Sequence, residues 1–278
     1  MRVLIASDAI AGCDAKGASE AIARAFQSAG ADVAVVSFDP ELPRPKSLDE
    51  LSDLLGRASA IDMRSLEVDD FGAEWLFRFG DTAEAAISVL RSKLGPEPLA
   101  AIVDYGEAAS KLSGIEGTAV ARSRAAGEDL AAGLDAENAA SAWLQQLAVE
   151  DQPGAGAANG LGALLLAVGA KLFDPFEYGE ARFGFSSTAA QADLIITGCT
   201  DLDFHVKGGE LVTRIVDVAE SVLRPVVTIS GRNFVSGREL RTAGIESAHA
   251  VHSDPDPRDV TAEEIETLAI RVARTWML

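Results

Sequence analysis

The chain has 278 residues, 48% hydrophobic and 24% charged, with 24 Lys and Arg against 43 Asp and Glu, a formal net charge of −19. That composition suits a globular protein of one large or two moderate domains and excludes a disordered chain. The negative balance argues against nucleic acid or an anionic membrane as a partner, because both need local positive charge, and it leaves any anionic ligand dependent on local donors.

In chain order, "RVLIAS" (2–7) is a short apolar run of the kind a strand buried on both faces carries. Ala18, Ile22, Ala25, Phe26 and Ala29 then recur at helical spacing until Gly30, and "DVAVVSF" (32–38) reads as a second strand. Ser47 and Glu50 form an S-x-x-E capping pattern before Leu51, Leu54 and Leu55. Asp81 and Glu84 open a helix through Ile87, Leu90 and Leu94 that Gly95-Pro96 stops. "LAAIVDYG" (99–106) reads as a strand, followed by Ala-rich helices near 117–131 and 137–148.

The last third alternates most clearly. Strands are expected at 192–198, 225–231 and 246–251. Between and after them lie helices marked by Leu211, Ile215, Val218 and Val222, by the Ser236/Glu239 cap, and by the Thr261/Glu264 cap. Alternation of strand and helix predicts a parallel sheet covered on both faces. The two ends of the chain resemble each other more than the middle. The expected architecture is therefore a discontinuous Rossmann-like (flavodoxin-like) parallel-sheet domain over 1–56 plus 190–278, with a second α/β domain, 57–189, inserted.

Two cysteines, Cys13 and Cys199, make no disulfide framework. The opening "MRVLIASD" is too brief for the apolar core of a signal peptide, and no apolar run reaches the ~18 residues of a spanning helix. The expectation is a reducing, cytoplasmic location.

In an open parallel sheet ligands bind beyond the carboxyl ends of the strands. Asp8 sits at such an end, either as a catalytic carboxylate or as a cap, and Lys16 either faces a phosphate or is a solvated first-turn residue. Asp201, Asp203 and His205 alternate. On an extended loop all three would face one way and suit a hard divalent cation such as Mg²⁺; otherwise they form a solvated acidic loop. Gly208-Gly209 lead into a helix whose N–H groups suit a phosphate, or they are plain turn residues. His249 and His252 lie three apart on a strand and so face opposite sides, a poor ligand pair. Cys13 and Cys199 both follow strand ends; with His205 they raise the idea of a metal or redox site, against the plainer reading of two buried thiols. The small-residue stretch "PGAGAANGLGALLLAVGAKL" (153–172) reads as a loop whose backbone lies close to a ligand, followed by a buried helix. No Walker-type phosphate loop, nucleophile elbow or C-x-x-C is present.

Several stretches together resemble the glycerate kinase type I family. "PGAGAANGLG" is similar to its P-G-A-G-A-A-G-G-L-G segment, with Asn159 in place of a Gly. "ADLIITGCTDLD" resembles A-D-L-V-I-T-G-E-G-x-L-D, and "AAIVDYGEAASKL" resembles E-M-A-E-A-S-G-L with Glu107 on the matching Glu. The opening strand, loop and helix and the closing strands fit in the same order. The loop lysine of P-D-S-F-K-G falls on Ala11, the Glu of G-E-G on Cys199, and the family's G-K on Gly209-Glu210.

The resemblance implies ATP-dependent phosphorylation of glycerate or a related small hydroxy acid, with ATP and Mg²⁺, in a two-domain α/β fold. It implies Asp8 as base or hydroxyl-orienting group, and Asp203, with Asp201, at the metal; His205 joins that set only through the alternation noted above, since the family carries Q-T where this chain has His205-Val206. Gly154, Gly156, Asn159 and Gly160 would approach substrate or nucleotide by backbone. Gly12, Lys16, Glu107, Gly198, Lys207 and Gly209 complete the binding set, with Lys16 or Lys207 replacing the lost loop lysine. The alternative is a catalytically degenerate relative that binds a small anionic metabolite or nucleotide without turnover. The expected partner is a small-molecule substrate, and a homodimer is left open.

Overall fold

The computed structural model describes residues 1–39 and 41–277. The chain divides into two compact units, Met1–Pro40 with Gly179–Leu278, and Glu41–Tyr178. It opens with β1 (Arg2–Ile5), α1 (Ala15–Ser28) and β2 (Asp32–Val35). Then follow α2 (Leu48–Leu54), β3 (Ala60–Asp62), α3 (Ala73–Leu76), α4 (Ala83–Lys93), β4 (Ala100–Ile102), α5 (Tyr105–Ala108), α6 (Thr118–Ala125) and α7 (Leu130–Leu147). A 3₁₀ turn (Ala157–Gly160) leads into α8 (Leu161–Val168), β5 (Lys171–Phe173) and α9 (Pro175–Phe183). The chain closes with α10 (Phe185–Gln191), β6 (Leu194–Leu202), α11 (Glu210–Ser221), β7 (Val226–Asn233), α12 (Gly237–Thr242), β8 (Ser247–Ala250) and α13 (Ala262–Trp276).

The discontinuous unit carries a five-stranded sheet in the order β2-β1-β6-β7-β8, parallel throughout. Counting strands within the unit, this is the 2-1-3-4-5 flavodoxin order, whose winding reverses between β1 and β6. Its inner strands are apolar on both sides because helices cover both faces. Val3, Ile5, Ile196, Val227 and Ile229 form one core with Ala18, Ile22 and Phe26 of α1 and Ile265, Ala269 and Val272 of α13. The alternate residues point to the opposite face, where α10 and α11 pack on β1 and β6. The expected Ser236/Glu239 and Thr261/Glu264 capping boxes both form.

The other unit holds a three-stranded parallel sheet, β3-β4-β5. Its core is built on Trp75, Trp143 and the apolar face of α8, with Leu161, Leu164 and Leu165 all but inaccessible. Here the sequence-based boundaries move. The units divide near residues 40 and 178, not at 56/57 and 189/190, because Leu51 and Leu55 pack into this second core. The helices expected at 117–131 and 137–148 become α6 and α7. Gly127 takes a left-handed turn (φ 74°), and Asp129 accepts the Ala132 N–H, starting the second helix seven residues early. Thr82 caps α4 where Asp81 was expected to open it.

Among the described residues, no helix is long and apolar enough to cross a membrane.

Candidate functional site

In the five-stranded unit the carboxyl ends of β1 and β6 meet at the point where the winding reverses, the usual ligand position of such sheets. Asp8 lies there, exposed. Its N–H donates to the Gly198 carbonyl at 3.1 Å, and its Oδ1 accepts the Ala9 N–H at 2.7 Å. The loop behind it is folded back by an Ile10–Cys13 bridge through Ala11 and Gly12, both at positive φ. Thr200 latches this loop to β6: its Oγ1 accepts the Ala11 N–H at 2.9 Å. Gly198 is glycine for packing reasons, since a Cβ there would lie 2.8 Å from Ile10 Cδ1 and 2.9 Å from the Ile229 carbonyl. At Gly12 a Cβ would stand 2.7 Å from Asp259 Oδ1, so the loop after β8 closes against it. Lys16 is exposed on the first turn of α1, whose N-terminus Asp14 caps.

The alternating Asp201, Asp203 and His205 do not converge. The strand ends at Leu202, so the extended backbone that would align them stops there. Asp201 is taken by Arg232, its register partner on β7, in a bidentate pair at 2.8 and 2.6 Å. Asp203 turns inward to cap its own loop, its Oδ1 accepting the N–H groups of His205 and Val206 at 2.8 Å each. His205 stays exposed, edge-on to Phe204. Among the described residues no three His, Cys, Asp or Glu side chains group as a metal site requires. The donor set here does not fit the Mg²⁺ that the resemblance implied. Gly209 caps α11, with its N–H given to the Val206 carbonyl at 2.7 Å, and Glu210 adds negative charge to the first turn.

Cys13 and Cys199 are both free thiols. Burial, and then the charges of Asp8, Asp201 and Asp203, push the Cys199 thiol up to about 12. Burial and Asp14 raise Cys13 as well. The thiolate is the nucleophile and the metal ligand, so this environment suppresses both roles. His252 is buried with Nδ1 facing the Arg258 guanidinium, and His249 contacts Ser247; the two rings serve separate partners.

In the inserted unit the small-residue segment is packed against its own chain rather than opened to a ligand. Gly154, Gly156 and Gly160 are all buried. A Cβ at Gly156 would sit 2.5 Å from the Lys111 carbonyl, and one at Gly160 would sit 2.6 Å from the Phe71 ring. Only Asn159 of the four candidates keeps partial exposure. Ala158 and Asn159 both adopt left-handed backbone (φ 46° and 58°), a conformation that costs a non-glycine residue on the order of 1 kcal/mol. The strained Ala158 N–H donates to Glu107 Oε2 at 3.2 Å. Burial raises the half-buried Glu107 carboxyl above the ordinary range, the charges of Asp104 and Glu67 add to the rise, and the Ala158 N–H opposes it. A perturbed acid held by a strained turn is the kind of group that functional sites carry.

One charged cluster in this unit went unread in the sequence. Asp62, buried at the end of β3, is held by both Arg44 and Arg64. The signal was present in "AIDMR", an apolar run that ends on an acid next to a base.

Fold and edge thus define a doubly wound parallel α/β protein with a second α/β unit inserted in its chain and an acidic strand-end edge. A model of the glycerate kinase family matches residues 114–277. The chain belongs to the glycerate kinase family. An uncharacterized protein of Mycobacterium bovis is 33% identical over 146 residues, 50% of this chain and 38% of that one. A glycerate kinase of Bacillus cereus is 29% identical over 131 residues, 45% of this chain and 34% of its own. A glycerate 2-kinase of Escherichia coli is 34% identical over 104 residues, 37% of this chain and 27% of its own. The aligned stretch therefore spans less than two fifths of the length of these relatives. A solved structure of a provisionally assigned glycerate kinase 2 from Salmonella typhimurium LT2 has a TM-score of 0.67 at 18% identity, covering 99% of this chain and 98% of that one, which shows a shared fold.

Proposed function

We propose that this chain transfers a phosphoryl group from ATP to a hydroxyl of glycerate or a closely related small hydroxy acid. The observation that carries this reading is Asp8, an exposed carboxylate at the β1/β6 switch point in a chain of this family. The substrate hydroxyl oxygen attacks the γ-phosphorus, its bond to phosphorus forms as the bond to the ADP oxygen breaks, and the hydroxyl proton passes to the Asp8 carboxylate. Little covalent chemistry is asked of the protein in such a transfer; positioning and charge neutralisation dominate. The Gly198 carbonyl fixes the Asp8 backbone and the Ala9 N–H holds one of its oxygens, which supports this role. The edge is acidic, so the donor's phosphates must lean on cations. Lys207, held at φ 49° by the tight turn after Asp203, is the one closest in sequence to the switch-point strand. No step is assigned to Mg²⁺.

The test is release of ADP from ATP with D-glycerate, measured beside Asp8→Asn. Turnover in the wild type that falls at least about a hundredfold in Asp8→Asn supports the reading, since loss of a positioned base costs on this order. Wild-type turnover no greater than that of the variant overturns it. A glycerate-induced rise in Tm without turnover would then identify a binding protein on a kinase fold.

A further inference from the structure

The loop that carries Asp8 cannot hold its own shape. Ala11 and Gly12 follow one another at positive φ (41° and 91°), and the left-handed region disfavours a side chain such as that of Ala11. A conformation of this kind persists only where the surroundings over-determine it. Here Ala11 is held by both of its backbone groups. Its N–H donates to Thr200 Oγ1 on β6 at 2.9 Å, and its carbonyl accepts the Val260 N–H at 2.6 Å.

That second hold depends on the segment between β8 and α13. The segment is fixed at its ends: Val251 and His252 donate to the Ser230 and Gly231 carbonyls at 2.9 and 3.0 Å, and Val260 is buried in the core that α1 and α13 share. Between them residues 253–259 are all exposed, and Pro255 and Pro257 have no N–H to give. Arg232, at the end of β7, reaches this stretch from the sheet and donates through Nη1 to the Pro255 carbonyl. Its Nε and Nη2 are engaged by Asp201 at 2.8 and 2.6 Å, and its side chain is only 16% exposed, so the fork is fixed before it meets the segment. The carboxylates of Asp254 and Asp256 add attraction to the same guanidinium.

These bonds close a circuit around the Asp8 loop. Thr200 and Asp201 are neighbours on β6. The first holds the Ala11 N–H directly. The second holds Arg232, Arg232 holds the Pro255 carbonyl, and five residues further on Val260 holds the Ala11 carbonyl. A guanidinium can serve two acceptors at once because its donors lie fixed in one plane; the ammonium of a lysine is a point charge without that fork. Resting on the kinase reading above, we infer that Arg232 is a positioning residue for the transfer. Acting through the 253–259 segment, Val260 and Ala11, it fixes the loop whose carboxylate takes the hydroxyl proton. A misplacement of about 1 Å caused by a change away from the chemistry can cost about a hundredfold in rate.

The experiment compares the full-length wild type with Arg232→Lys and with the swap Asp201→Arg/Arg232→Asp. The swap keeps an ion pair between register partners but sets the guanidinium one strand, about 4.8 Å, farther from β8 and its following segment. Tm, hydrogen exchange in peptides covering 8–13 and 251–260, and kcat and KM for glycerate are measured well below the lowest Tm. The expected result is a swap variant with the Tm of the wild type. In both variants exchange in the two peptides speeds up at least about tenfold, and kcat falls about tenfold to a hundredfold with KM for glycerate within twofold. A purely structural ion pair gives the opposite pattern: Tm falls in Arg232→Lys and returns in the swap, while exchange in the two peptides or kcat stays within twofold of the wild type. That result overturns the inference and leaves the kinase reading standing. A wild type without turnover overturns both, whatever the exchange shows.

Discussion

Gly156→Ala separates two explanations of the small-residue segment. Gly156 has φ −79° and ψ −11°, an ordinary helical conformation, so alanine meets no backbone penalty there. On propensity alone the change should stabilise by about 0.5–1 kcal/mol. Packing opposes it. The new Cβ would lie 2.5 Å from the Lys111 carbonyl and 2.7 Å from Ser110 Oγ, with Thr118 Oγ1 closer still. A hydroxyl can rotate away, but the Lys111 carbonyl is pinned by the Thr118 N–H at 2.9 Å, and the Ser110 carbonyl accepts from Gly154 at 2.8 Å. The segment must therefore shift by about half an ångström. Overpacking of that kind costs about 1–3 kcal/mol, which leaves a net loss on the order of 1–2 kcal/mol. Urea denaturation followed by tryptophan fluorescence reads this directly, because Trp75 and Trp143 both belong to the core of the inserted unit. Gly133→Ala, within α7 and with only Ser123 Oγ near at 3.9 Å, is the matched control and should gain about 0.5–1 kcal/mol. A Gly156→Ala protein as stable as the wild type but unable to bind its ligand would refute the packing account and restore the ligand-approach reading.

Four further outcomes are expected. Glu107 holds its proton more tightly folded than unfolded, so it lowers stability as pH rises through that window and costs most above its folded value; Glu107→Gln should gain Tm relative to the wild type between pH 4 and pH 7, and a pH-independent difference would count against the buried acid. At Asp62, burial raises the carboxyl, but hydrogen bonds from Arg64 and Arg44 outweigh it and hold the group below the ordinary range. Its contribution is therefore present above the unfolded value and lost as pH falls through the folded one; Asp62→Asn should cost about 3 kcal/mol in urea at pH 7 and progressively less as the pH is taken below the unfolded value. Thr228 is fully buried with no partner for its Oγ1 among the described residues, so Thr228→Val should raise stability by about 1 kcal/mol, and a loss in urea titration would reveal a hydrogen bond to water at that hydroxyl. Cys199 should stay unlabelled by a disulfide reagent at pH 8 in the native protein and react once urea is added; two thiols titrating natively would show that the acidic edge does not enclose it.

The fold was readable where local signals and tertiary demand coincide. β1, β6 and β7 are buried on both faces, so their apolar runs are continuous and cannot be mistaken for amphipathic surface. The Ser236 and Thr261 capping boxes are short-range chemistry complete within four residues. β3 and β5 are three residues each, too short to show any period, and exist because β4 between them supplies pairing on both edges. The unit boundary near residue 40 followed the same logic. A capped helix at 48–54 looks alike in either unit, and only the burial of Leu51 and Leu55 assigns it.

The site was less readable, because each misreading turned on a partner far away in sequence. Asp201 looks like a ligand until β6 and β7 pair in the register that sets Arg232 beside it. Small residues at 154–160 carry the same signal whether the backbone they admit belongs to a ligand or to residues 110–118, and here the neighbours are Lys111, Ser110 and Phe71. Glu107 was found by resemblance, yet what perturbs it is its burial and the turn at Ala158, which no spacing rule exposes. Phe204 and Arg238 gave no signal of a shared cavity, being 34 residues apart in the chain and joined only where β6 and β7 frame it. The charge pattern then becomes the sharper guide. Burial, and then the charges of Asp8, Asp201 and Asp203, hold the Cys199 thiol protonated, so a phosphoryl group transferred beside Asp8 needs cations to offset those acids. Around the β6–β7 cavity Lys207 and Arg238 stand beside Asp203 and Glu239, so charge there is balanced and not positive.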